Sequence, residues 1–279
     1  EPTERIEPER SGWPSIAPLG EGEIMASHSS GTNIYKRATK GQGEWVKGVS
    51  FEHTWPKIAT TGNGQYVHVV NGEQDPSNTL LNTVYYYRST DGGETFSAEA
   101  YPPLVDVEGE YNYNIGADDY VIATNGDNIA ILFGGITYDI FYIISHDNGE
   151  TWEKQVVCKH PYPSFDWSMY DQGLTVDRDT IWWEDNSHSI AIDDNGTVHV
   201  AFGLGRWVPA SNTGTYSYWP YTIGIVYWNS EYVNEQGGHD IPLFGDWSGD
   251  ANWQEWTATD PTHNGTNGVS SSLMDDRLI

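Results

Sequence analysis

Short apolar runs of five or six residues, each closed by Gly, Asn or Asp, recur along this chain, and they predict strands joined by tight turns. Four places share one pattern: Ile16-Ala17, Ile58-Ala59, Ile122-Ala123 and Ile190-Ala191 each sit in a strand, followed by a turn and a second strand. The second strands are Glu23 to Ser27, Tyr66 to Val70, Ile129 to Phe133 and Thr197 to Phe202. A strand, a Gly/Asn/Asp turn and another strand make a hairpin signal. The isoleucines lie 42, 64 and 68 residues apart, so the hairpin is the start of a repeating unit. A third strand follows in each unit, Thr83 to Tyr87 and Ile140 to Ile144 being the clearest. Pro and Gly punctuate the chain too often for an amphipathic helix.

Two of the third strands run into the same turn. Ser89-Thr90-Asp91-Gly92-Gly93-Glu94-Thr95-Phe96 and Ser145-His146-Asp147-Asn148-Gly149-Glu150-Thr151-Trp152 both read S-x-D-x-G-x-T-[FW]. Asp91 and Asp147 are suited to fold their carboxylates onto turn N–H groups. Gly93 and Gly149 supply a positive φ. Phe96 and Trp152 are expected to re-enter a sheet and to pack between neighbouring sheets. Ser89, Ser145, Thr95 and Thr151 complete a structural turn with no substrate chemistry. A degenerate copy, Thr39-Lys40-Gly41-Gln42-Gly43-Glu44-Trp45, closes the first unit, and the fourth ends at Asn229-Ser230-Glu231 without one.

The motif resembles the Asp-box, or BNR repeat, of the sialidase-like β-propellers. The resemblance covers most of the chain at the level of fold. It implies an all-β propeller of four-stranded blades starting near residues 14, 56, 120 and 188. A fifth start near 272 implies a larger propeller of six or more blades, of which this chain is a piece; a small propeller of four or five blades is the other option. Residues 1–12 form a charged lead-in and 13–279 the propeller. The resemblance also implies that the turns lie at the rim of one face. The opposite face then receives the loops between second and third strands and those between blades.

The longest of these stretches are Lys159 to His188 and Gly203 to Tyr221, rich in aromatic rings beside acids. Long loops are where binding residues concentrate, and aromatic faces beside carboxylates suit sugar rings. The ligand-binding candidates are Asp166, Trp167, Asp171, Trp182, Trp183, Glu184, Arg206, Trp207, Tyr218 and Trp219. The pairs Asp118-Asp119, Glu184-Asp185 and Asp193-Asp194 are not evidence of a glycosidase by adjacency, because strand neighbours point to opposite faces; Asp193 to Gly196 reads as a turn. Catalytic residues are not assigned. Sialidases hold their carboxylated sugar with three arginines, the first in an Arg-Ile-Pro motif. Here Gly12-Trp13-Pro14-Ser15 stands in that place, so Trp13 replaces the arginine. A guanidinium fork is hard to replace for carboxylate recognition, which argues against sialic acid.

The formal charge is −27, from 40 acidic and 13 basic residues. Such a chain is a poor partner for nucleic acid or an anionic membrane, and no stretch approaches the roughly 20 apolar residues of a membrane span. Cys158 is the sole cysteine, which rules out an internal disulfide. No spacing suggests zinc, an EF-hand, a nucleophile elbow or a dinucleotide site, so no cofactor is expected, though acidic loops can collect Ca²⁺. The expectation is a secreted or cell-surface, bacterial protein that binds glycan or a surface protein without sialidase activity, joined to further domains. The alternative is a glycoside hydrolase or polysaccharide lyase on the same fold.

Overall fold

A computed structural model describes residues 6–7, 9–74, 82–98, 100, 102–105, 115–136, 138–160, 181–209 and 216–231. Fourteen strands are present, and no α-helix occurs among the described residues. They form four antiparallel sheets. The first holds β1 (Gly12–Leu19), β2 (Gly22–His28), β3 (Thr32–Arg37) and β4 (Val46–Phe51) in that order. The second holds β5 (Thr54–Thr61), β6 (Tyr66–Gln74) and β7 (Asn82–Ser89). The third runs β8 (Tyr120–Asn125), β9 (Asn128–Gly135), β10 (Tyr138–Ser145) and β11 (Glu153–Cys158). The fourth has β12 (Ile181–Ile192), β13 (Val198–Pro209) and β14 (Tyr216–Asn229). All four isoleucines that mark the repeat lie on first strands. The expected four strands appear in the first and third sheets. In the second, the fourth strand is reduced among the described residues to a single bridge between Tyr86 and Ala100.

The chain divides into two compact units. The first comprises Glu1–Val105, Asn114–Ile131 and Ile143–Lys154; the second comprises Asp106–Tyr113, Leu132–Tyr142 and Gln155–Ile279. In the first unit β5 lies against β1 and β2, and β8 against β5. The core there joins Ala17, Ile24, Ala26 and Ile34 of the first sheet to Ile58, Val67, Val69 and Tyr87 of the second. Alternation explains the choice: Ile24, Ala26 and Val67, Val69 are period-two positions on facing sheets. The core of the second unit includes Phe133 stacked on Phe141 at 5.1 Å and Trp228 at 5.9 Å from Tyr142.

The two S-x-D-x-G-x-T turns have the same atomic plan. Asp91 Oδ1 accepts from the N–H groups of Glu94 (3.1 Å) and Thr95 (2.9 Å) and from Ser89 Oγ (2.7 Å), and Oδ2 accepts from Thr95 Oγ1 (2.6 Å). Asp147 repeats this with Glu150, Thr151 and Ser145. Gly93 and Gly149 adopt φ of 74° and 85°. Each turn also rests on its own sheet's first hairpin, Gly92 N–H donating to Gln65 O (2.8 Å) and Asn148 N–H to Asp127 O (3.0 Å). Each then reaches back to the preceding sheet. Glu94 pairs with Lys36 at 2.5 Å, and Glu150 with Arg88 at 2.7 Å. A Cβ at Gly93 would meet Ile24, and one at Gly149 would meet Tyr86 and His68. Phe96 packs edge-on to Phe51 at 5.2 Å and Trp152 edge-on to Tyr86 at 5.5 Å, and neither lies within a strand. In the degenerate first-sheet turn, Glu23 of β2 takes over part of the missing Asp's role by accepting from Gly41 N–H at 3.0 Å. The Asp193 turn is as expected, with Oδ1 accepting from Asn195 and Thr197 N–H and Gly196 at φ 85°.

These contacts set the acid limit of the fold. The Thr95 hydroxyl and N–H groups hold the Asp91 carboxyl far below the usual carboxylate range. For Asp147 the Thr151 N–H and hydroxyl lower it to about 2. A folded pKa below the unfolded value contributes stability above the unfolded pKa, about 3.9, and loses it as pH falls through the folded one. Urea midpoints are therefore expected to drop between about pH 4 and pH 2. The Asp91→Asn/Asp147→Asn double variant should show a shallower drop there. An equally steep drop would show that other carboxylates dominate.

Two tryptophans are strained. Trp13 and Trp55, both followed by Pro, have φ of 46° and 52°. A side chain in the left-handed region costs roughly 1–2 kcal/mol. Both sit at register shifts where β1 and β5 begin, between Gly12 and Ser15 and between Thr54 and Lys57.

Candidate functional site

The aromatic-acidic stretches are largely strand where described, not loop. β12 begins at Ile181 and takes in Trp182, Trp183, Glu184 and Asp185; β13 runs on to Pro209 and β14 starts at Tyr216. The hairpin extends because its glycines leave space. A Cβ on Gly203 would collide with the Asp185 carboxylate, and one on Gly205 would lie 3.5 Å from the Trp207 ring. Backbone pairing sets Trp182 opposite Arg206 and Trp207 opposite Tyr218, with Trp219 next on β14. Asp166, Trp167 and Asp171 lie outside the described residues.

Trp183 and Trp207 are not open platforms. They are 0% and 8% exposed. Trp183 Nε1–H donates to Gly135 O at 2.8 Å, and Trp207 Nε1–H donates to Glu184 O at 3.1 Å. Buried indoles need such partners, and these two serve as walls that fix the start of β12. His160 adds to this wall, its ring edge-on to Trp183 at 4.7 Å and its N–H donating to Asp139 Oδ1 at 2.6 Å.

Glu184 is the candidate that stands out. It is fully buried, and its Oε1 lies 2.7 Å from Nδ1 of His188, a residue the sequence pattern did not single out. Four residues along a regular strand span about 13 Å. Here Glu184 pairs with Leu204 and His188 with Phe202, so the three residues 185–187 of β12 oppose the single Gly203 of β13. The bulge at 185–187 takes up the excess, with Asn186 at φ 64° and Ser187 N–H donating to Asp185 Oδ1 at 3.0 Å. Bulges re-aim side chains in this way. The result is a carboxylate and an imidazole on one face at contact distance. A Cβ on Gly134 would crowd both, at 3.3 Å from His188 Nδ1 and 3.4 Å from Glu184 Cδ, so glycine there gives the pair its room.

The outer atoms of the pair are unused. Glu184 Oε2 and His188 Nε2 are buried and have no hydrogen-bond partner among the described residues. A buried polar atom left so costs about 1–3 kcal/mol, and most are satisfied. A carboxylate oxygen accepts, so the contact is made by the imidazole donating from Nδ1–H to Glu184 Oε1, and Nε2 is the ring nitrogen left over. His188 also lines a hollow of about 560 Å³ with Asp185, Ser187, Phe202, Gly203 and Ile225. Chemically this is a proton acceptor oriented by a buried acid, beside a space. Among the described residues no group of three His, Cys, Asp or Glu could hold a metal ion, and no helix is long and apolar enough to cross a membrane.

Neither protein-family models nor curated proteins match this chain. Solved structures do. The chain is similar to a GH93 α-L-arabinofuranosidase of Fusarium graminearum, in complex with arabinobiose, at 12% identity and a TM-score of 0.47. That match covers 82% of this chain and 64% of the other, so this chain spans less than two thirds of its length. An α-L-arabinanase of Penicillium chrysogenum complexed with arabinobiose matches at 12% identity and TM-score 0.45, over 83% and 69% of the two chains. A protein of unknown function from Dyadobacter fermentans matches at 14% identity and TM-score 0.42, over 74% and 67%. Among the described residues the chain is all-β, in four antiparallel sheets.

Proposed function

We propose that this chain is part of an extracellular, sialidase-like β-propeller that cleaves a glycan, as a glycoside hydrolase or polysaccharide lyase. The propeller reading is supported by the regular succession in the first unit: first strand against first strand, and each Asp-box turned back onto the preceding sheet. The cleavage reading is carried by one observation, the Glu184–His188 pair with its two unused buried atoms. His188 Nε2 acts on the substrate as proton acceptor or donor, and Glu184 fixes its tautomer and orientation, as a carboxylate does behind an imidazole. Glycoside hydrolases are also what similar solved structures are named, at identities too low to carry the reading.

The test is a panel of neutral and uronate-containing polysaccharides, scored for new reducing ends and for the ultraviolet absorbance of a newly formed C=C bond. Reducing ends alone indicate hydrolysis; both together indicate elimination. His188→Ala is expected to lower turnover by about 100-fold or more. Glu184→Gln keeps a hydrogen-bond partner for the ring and should lose less. Unchanged turnover in His188→Ala, with unchanged thermal unfolding, would remove the pair from the mechanism. Binding without turnover on every polymer favours the second reading, a glycan-binding module. That reading draws on the exposed ring of Trp13, which stands where a sialidase has its first clamp arginine.

A further inference from the structure

The first unit carries a solvent-facing arrangement that the cleavage chemistry does not use. Gly12-Trp13-Pro14-Ser15-Ile16-Ala17 and Thr54-Trp55-Pro56-Lys57-Ile58-Ala59 repeat a Trp-Pro entry into β1 and β5. Each Trp is held at positive φ, a conformation a side chain adopts only where its surroundings impose it. The surroundings of Trp55 are explicit. Its N–H donates to His28 Nδ1 at 3.0 Å, and its carbonyl accepts from the Tyr120 hydroxyl at 2.6 Å. His28 is the hub. Trp13 lies 4.9 Å from it at 44°, and Trp55 lies 6.0 Å from it at 42°. Trp13 is 50% exposed despite its size.

The hydrogen bonding fixes what this surface offers. Because His28 Nδ1 accepts from the backbone, the proton of the neutral ring sits on Nε2, which is left as a donor. Burial lowers the His28 pKa, opposed by the Glu7 carboxylate, so the ring is held neutral at ordinary pH. Glu7 itself is 5% exposed, and its Oε1 accepts from Ser27 Oγ at 2.7 Å. The charge acting on the hub is thus negative, in a chain of net charge −27. An indole face, a neutral N–H donor at its edge and a negative surround suit an uncharged polyol ring. The C–H face stacks on the indole and a hydroxyl accepts from the imidazole. A carboxylated or sulfated sugar meets only repulsion.

We propose that Trp13, His28 and Trp55 form a stacking site for an uncharged sugar ring, with Trp13 as the platform and His28 Nε2–H as the hydroxyl donor. The site is independent of the Glu184–His188 pair and stands whether or not that pair cleaves.

Trp13→Gly makes the test, because glycine relieves the positive φ while deleting the ring. The full chain is titrated by calorimetry with neutral gluco-, manno-, galacto-, xylo- and arabino-hexaoses, and with hexagalacturonate as the charged comparator. At least one neutral hexaose should bind, with hexagalacturonate at least tenfold weaker. Trp13→Gly should weaken binding about tenfold or more, as loss of an aromatic stack does, while the unfolding temperature holds or rises. Trp13→Phe should recover most of the affinity. The proposal is overturned if no neutral hexaose binds, or if hexagalacturonate binds equally well. It is overturned too if Trp13→Gly leaves affinity within twofold. A dimer of the parent chain that Trp13→Gly dissociates would assign the surface to a second copy and also overturn it.

Discussion

Gly149→Ala is expected to lower the unfolding free energy by about 2–4 kcal/mol, combining left-handed strain with overpacking. Gly149 has φ of 85°, and an added Cβ would sit 2.7 Å from the Tyr86 hydroxyl, 3.1 Å from His68 Cε1 and 3.3 Å from Arg88 Cδ. The Arg88 side chain can shift, since it is long. Tyr86 and His68 cannot, because they hold each other at 2.8 Å and Thr61 holds the other imidazole nitrogen at 3.0 Å. Gly126→Ala is the internal comparison. Its φ is 61°, yet nothing lies within 4 Å of its added Cβ, so only the strain of roughly 1–2 kcal/mol applies. Urea unfolding followed by tryptophan fluorescence measures both. Equal losses in the two variants would mean that the neighbours of Gly149 yield freely.

His68 is expected to make the fold acid-sensitive well above the carboxylate range. The imidazole is 0% exposed, and burial, with the Arg88 charge adding to it, lowers its pKa to about 3. The unfolded chain binds this proton near pH 6.5 and the folded chain does not. Stability is therefore full above about pH 6.5 and declines as pH falls toward about 3. The slope is roughly 1.4 kcal/mol per pH unit, or close to 3 kcal/mol between pH 6 and pH 4. His68→Gln loses hydrogen bonds and is less stable at pH 7. Its stability should nevertheless vary less across that window. Parallel profiles for the two proteins would show that His68 is not the group responsible. The turn aspartates act lower, below about pH 4, so the two contributions separate along the pH axis.

What the sequence made legible was local. The S-x-D-x-G-x-T turns could be read to the atom, because every partner of Asp91 and Asp147 lies within four residues. The first strands were legible for a similar reason, since Ile-Ala followed by a turn is written in consecutive positions. The Glu184–His188 pair was only half legible. Glu184 drew notice as an acid among aromatics, but a bulge that sets three residues against one leaves no trace in alternation, so His188 passed unmarked. The same hidden bulge and the long hairpin made Trp183 and Trp207 resemble loop aromatics, when their indole N–H groups are tied to backbone. Trp13-Pro14 drew notice only as the place of a missing arginine; that Trp55-Pro56 repeats it went unmarked, and the histidine that joins the two indoles comes from the far end of β2.

The backward reach of each turn has a consequence for how the first unit comes apart. Gly93 covers Ile24 and Glu94 pairs with Lys36, so the first sheet is finished by a segment that belongs to the second. Gly149 and Glu150 finish the second sheet from the third in the same way. Stability there behaves as a chain of debts between neighbours, each sheet's closing piece being held by its successor. Fraying of a later sheet then travels backward along the chain, so that amide exchange in β2 reports on the integrity of a turn some seventy residues downstream of its start.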